Sequence, residues 1–144
     1  MIYFYLMWIL FQFLNKIHAR RPYAEFIKAL KRNDNPTTGS IAEEAYRRIT
    51  EIMQIDNTFD DLSISERKKQ RQLQLVEKVD AYFAWAKMKY EEVPKQSQLG
   101  KALAYSINQE PFLRVFLSDG RVPMDNNYAL YSGYFYPHLL SKSA

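Results

Sequence analysis

Residues 63–93, SISERKKQRQLQLVEKVDAYFAWAKMKYEEV, decide the fold. Ser63 followed three positions later by Glu66 forms a capping box, in which a side-chain oxygen bonds an otherwise unpaired N–H of the first helical turn. Neither proline nor glycine interrupts the chain until Pro94. Leu73, Val76, Val79, Phe83, Ala86, Tyr90 and Val93 recur at alternating steps of three and four. This spacing predicts one helix about 45 Å long at 1.5 Å per residue, with an apolar seam turned toward another helix. Only about three heptads are present, so an intrachain helical hairpin is expected ahead of a coiled-coil dimer.

Helical patterning continues on both sides. Upstream, Pro22 suits an early helical position, and Tyr23, Phe26, Ile27 and Leu30 share one face, giving a helix over about Arg21 to Arg32. The loop NDNPTTGS contains the breakers Pro36 and Gly39, and Ser40 is the N-cap expected for a second helix from Ile41. Its apolar face is Ile41, Ala45, Ile49, Ile52 and Met53. Downstream, a helix is predicted over roughly Ser97 to Gln109, interrupted around Pro111, with Phe112, Leu113 and Phe116 continuing to Ser118. SDGR makes a turn, and Pro123 allows at best an edge strand over Arg121 to Met124. There is neither an internal repeat nor a low-complexity tract.

The apolar leader, Ile2 to Leu14, is shorter than the roughly 20 residues a spanning helix needs. A buried strand is the first reading and a membrane anchor the second. No basic residue precedes the apolar run and no small-residue cleavage site follows it, against a secretory signal. The 144 residues suit one domain, and the absence of cysteine excludes disulfides, thiol enzymes and cysteine-based zinc sites, consistent with a reducing cytoplasm. A formal charge of +4 is a weak pointer to nucleic acid.

Few residues offer chemistry. His18 and His138 stand at opposite ends, and nothing in the pattern brings them together as a base or metal site. No phosphate-binding glycine loop or serine nucleophile elbow is present. Two basic clusters remain as phosphate grips: Lys16, His18, Arg20 and Arg21 in the first, and Arg67, Lys68, Lys69 and Arg71 in the second. The second opposes the macrodipole at a helix start; Asp60, Asp61 and Glu66 neutralising it on a solvated face is the plainer reading.

HARRPYAEFIKAL at 18–30, with SQLGKALAYSINQEPFLRVFLSDGRVPMDNNYA at 97–129, resembles the transposases of the insertion sequence 66 family, which are bacterial DDE-type enzymes. His18, Ala19, Arg20 and Arg21 match the family's H-A-R-R, while Asn15, Lys16 and Ile17 do not match the residues before it. Asp125, Asn126, Asn127 and Ala129 match D-N-N-x-A, but Leu130 stands where the family has its catalytic glutamate. The resemblance divides the chain into a leader at 1–17, a transposase-like helical region at 18–129 and a tail at 130–144.

The resemblance implies DNA transposition, with DNA at element ends as partner, and it admits a homo-oligomer. It also implies magnesium in the intact family, because two ions held between carboxylates activate the attacking oxygen and stabilise the leaving one. This chain offers no acidic residue before Glu25, where the family's first two aspartates would precede H-A-R-R, and leucine cannot ligate a hard cation. All three carboxylates are therefore expected to be absent, so no metal, no cofactor and no catalytic residue is assigned, and Asp125 is read as a helix-start residue. The patternless ends suggest a frame-disrupted or truncated element copy. The expected architecture is mainly α, a helical bundle, with short strands near the ends as remnants of a ribonuclease-H-like sheet.

Overall fold

The computed structural model describes Tyr3, residues 19–36 and residues 40–122. Helix α1 occupies residues 19–32, followed by α2 (Ile41–Asn57), α3 (Ile64–Gln74), α4 (Val76–Glu92), α5 (Gln98–Asn108), the short α6 (Glu110–Leu113) and a 3-10 turn at Val115–Leu117. Three serines start helices in the same way. Ser40, Ser63 and Ser97 sit in extended backbone, and each side-chain oxygen accepts from the N–H three residues on, at Glu43, Glu66 and Gly100. Only one arm of the expected capping box forms at Ser63. The Glu66 carboxylate turns instead to Gln70, 3.2 Å away.

Helix α1 ends in a Schellman motif. Asn35 N–H reaches Leu30 O at 3.0 Å, Asp34 N–H reaches Lys31 O at 3.3 Å, and Asp34 adopts φ 54°. Aspartate tolerates that left-handed conformation better than most side chains, but glycine fits it without steric cost.

Helix α4 is the centre of the bundle, packing against α2, α3 and α5. It buries Val79, Tyr82, Phe83, Trp85 and Ala86, an arc wider than a single seam because neighbours lie on more than one side. Ala42, Ala45, Ile49, Ile52 and Met53 supply the facing surface of α2, while Ala102 and Leu103 supply that of α5. The expected α2 face is thereby realised, although Ile41 is only half-buried.

Three expectations change. The single long helix is two segments meeting at Leu75, whose φ −111° and ψ −21° depart from ideal helix geometry while its N–H still bonds Arg71 O. Leu73, expected in the seam, is 69% exposed; the buried line of α3 passes through Arg67 and Arg71 to Leu75. No strand occurs among the described residues. Arg121 and Val122 form a turn and bend rather than an edge strand, and Tyr3 is helical and exposed. The remaining residues of the leader, and those beyond Val122, lie outside the described residues.

Replacing Asp34 by glycine relieves the left-handed strain at the end of α1. The variant is expected to be more stable by up to about 1 kcal/mol, measured by urea denaturation.

Candidate nucleic-acid interface

The two sequence clusters have different fates. In the first, Arg21 is exposed, Arg20 is half-buried with its guanidinium 5.5 Å from the Tyr46 ring centre, and Lys16 and His18 lie outside the described residues. The second does not form one surface. Lys68 and Lys69 are exposed, but Arg67 and Arg71, one turn apart, point into the protein.

Arg71 is 1% exposed and grips Asp56 with two bonds, Nε to Oδ1 at 2.6 Å and Nη2 to Oδ2 at 2.9 Å. Its Nη1 donates to the carbonyls of Phe116, Asp119 and Val122 at 3.1, 3.2 and 2.9 Å. Arg67 donates to Phe59 O, Asp60 O and Leu62 O, just beyond the end of α2, and to Gly120 O. Guanidinium suits this task because its donors fan out in one plane and can serve several acceptors at once. Neither expected role for these two arginines holds: they neither face phosphates nor sit on a solvated face balanced by nearby acids. Gly120 belongs to the same junction, since a Cβ there would overlap the Ile64 carbonyl.

The sequence carried an unused signal for this arrangement. Asp56 continues the α2 face of Ile49, Ile52 and Met53 by one more helical step, and Arg67, Arg71, Leu75 and Val79 repeat every four residues. A charged residue inside an apolar period predicts a buried partner of opposite sign.

The described residues offer little to a reaction. A cavity of about 40 Å³ between α1, α2, α4 and α6 is lined by apolar and aromatic side chains, including Ala19, Ile52, Phe83 and Phe116. Tyr23, Tyr82 and Ser106 form a buried hydroxyl chain, with bonds of 3.4 and 2.8 Å. Burial pushes Tyr82 well above the ordinary tyrosine value of 10.0, so it holds its proton and serves packing. An open groove between the start of α3 and residues 118–121 is lined by Ser63, Ser65, Lys68 and Arg121.

Among the described residues no three histidine, aspartate or glutamate side chains converge as a metal site. Asp56 is committed to Arg71, and Glu44, Glu51 and Glu110 are committed to neighbouring cations. The described donor set therefore does not fit a pair of magnesium ions. Asp125, Asn126, Asn127 and Leu130 lie outside the described residues. No helix among the described residues is long and apolar enough to cross a membrane.

Compared with known proteins, residues 16–129 match the transposase IS66 family. A curated relative, the uncharacterized protein y4hP of Sinorhizobium fredii (strain NBRC 101917 / NGR234), is 29% identical over 118 residues, which cover 78% of this chain and 21% of that protein. The chain thus spans about one fifth of the relative's length. No solved structure matches it.

Two outcomes test the electrostatics. Arg71→Met leaves Asp56 buried without its ion pair and should lose about 3–5 kcal/mol of unfolding free energy, whereas Asp56→Leu combined with Arg71→Met should lose less than the two single changes together. Urea titrations of the four proteins form the cycle.

The second outcome concerns acid. Hydrogen bonds from Arg47, Lys78 and Arg121 hold Glu44, Glu51 and Asp119 below their ordinary values. At Glu110 burial acts upward but is outweighed by the bonds from Lys87 and Arg114. Depressed folded values mean stability that is complete above the unfolded range and lost as pH falls through the folded one. Thermal melts should accordingly stay level toward the ordinary glutamate value of 4.5 and then decline as pH falls below it.

Proposed function

The chain belongs to the transposase IS66 family, and on that premise we propose that it is a helical, DNA-contacting portion of a DNA-transposition protein that does not itself cut DNA. The family match over residues 16–129 carries the transposition reading. Leu130, in the position of the family's catalytic glutamate, supports the absence of cleavage, because an apolar side chain cannot hold a magnesium ion. When bound in the intact family, magnesium supplies activation of the attacking oxygen and stabilisation of the leaving one.

What this chain's own residues contribute is contact with the phosphate backbone. Arg21, Lys68 and Lys69 are exposed cations, Arg20 is held beside Tyr46, and His18 and Lys16 precede them in sequence. Arg67 and Arg71 are excluded from that role by burial and instead fix the segment from which the Asp125-Asn126-Asn127 motif continues. DNA at element ends is the proposed partner and the cytoplasm the proposed location.

Incubating the chain with magnesium and element-end duplex is expected to give no nicking above background. Cleavage that a chelator abolishes would refute the non-cutting part of this reading.

A further inference from the structure

The chain's excess charge has a single address. Residues 19–32 contain five cations, Arg20, Arg21, Lys28, Lys31 and Arg32, against one carboxylate, Glu25. That excess equals the formal +4 of the whole chain, so the rest of the sequence is balanced. Much of the balance elsewhere is also spatial: Glu44 pairs with Arg47 and Arg48, Glu51 with Lys78, Glu110 with Lys87 and Arg114, and Asp80 with Arg114, while Lys68, Lys69 and Lys101 are single exposed cations on other elements. Among the described residues Arg20, Arg21, Lys31 and Arg32 have no carboxylate within ion-pair distance, and Lys28 has only an exposed contact with Glu25 at 3.5 Å.

Helical geometry gathers these cations. At about 100° per residue, all five fall within about 120° of arc on α1, and Arg21 to Arg32 spans about 16 Å. Arg21, Lys28, Lys31 and Arg32 are exposed. The opposite side carries Ala19, Tyr23, Phe26 and Ile27, all packed on the core.

We propose that the outer face of α1, formed by Arg21, Lys28, Lys31 and Arg32 with Arg20 at its edge, is a docking surface for the phosphate backbone of duplex DNA. It rests on the DNA-contacting reading above and adds three residues, Lys28, Lys31 and Arg32, that the sequence motif did not single out. Charge complementarity selects the partner: each strand of the duplex carries a phosphate about every 3.4 Å along the axis, so the cationic arc faces about five of them on one strand. An anionic membrane is the poorer fit, since an interfacial helix must insert its apolar face and α1 has already buried its own.

Fluorescence anisotropy of the full chain with a labelled duplex, across a salt series, tests the surface. The variant Lys28→Gln/Lys31→Gln/Arg32→Gln should weaken binding at least about tenfold and flatten the salt slope by about 0.9 for each phosphate contact removed. Lys101→Gln, which removes an exposed cation on α5, should match the parent. Circular dichroism of the triple variant establishes that its helices are intact.

Failure has distinct forms. A parent chain that binds no duplex at low salt sinks the DNA-contacting reading and this surface with it. A parent that binds, with a triple variant of unchanged affinity and slope, overturns the α1 surface alone. Binding to vesicles of anionic lipid without binding to duplex overturns it in favour of a membrane partner.

Discussion

The buried grip of Arg71 on Asp56 is the constraint around which the other parts of the bundle are arranged. Moving either charge from water into the interior costs several kcal/mol, and the cost is offset only when the partner and the remaining donors are all engaged. Here the carboxylate comes from the last turn of α2, the guanidinium from α3, and the remaining acceptors from carbonyls between Phe116 and Val122. Three parts of the chain are thereby fixed at one point. Arg67 repeats the device one turn earlier, joining the loop after α2 to Gly120.

This solution explains why an irregular segment lies inside the structure. Backbone carbonyls without helix or sheet partners are costly to bury, and residues 116–122 form only the end of a 3-10 helix, turns and a bend. Side-chain donors take the place of a ladder: Arg71 serves three of these carbonyls, Arg67 a fourth, and Gln72 reaches Leu117 O at 2.6 Å. Phe116 and Val122 can then contribute apolar surface to the core although neither lies in an α-helix.

Much of the fold was legible because its signals are local. Serines at 40, 63 and 97 announce helix starts through a bond three residues long, and the α2 stripe reads directly as a buried face. The break at Leu75 was not legible, since no proline or glycine marks it. The α4 seam was read too narrowly because periodicity reports one face, while Tyr82 and Trp85 are buried by neighbours on others. The arginines misled for a different reason. Their acceptors are mostly main-chain carbonyls, which carry no letter in a sequence, so ERKKQRQ looked like a uniform solvated run when every fourth position turned inward. For the interface, motif reading reached Arg20 and Arg21; the surplus along α1 can be counted in the sequence, but that its cations share one outer face without carboxylate partners is seen only once the helix is placed.

The Arg71 junction also imposes an order on the making of the protein. Its bond to Asp56 closes a separation of 15 residues, whereas that to Val122 closes one of 51. Contacts between distant positions carry a larger loop-closure cost and form later. During synthesis α2 and α3 can meet while the chain is still growing, but the guanidinium keeps donors turned to water until residues 116–122 have emerged. The interior of the bundle is sealed from its C-terminal side, by a stretch of main chain that has almost no regular structure of its own.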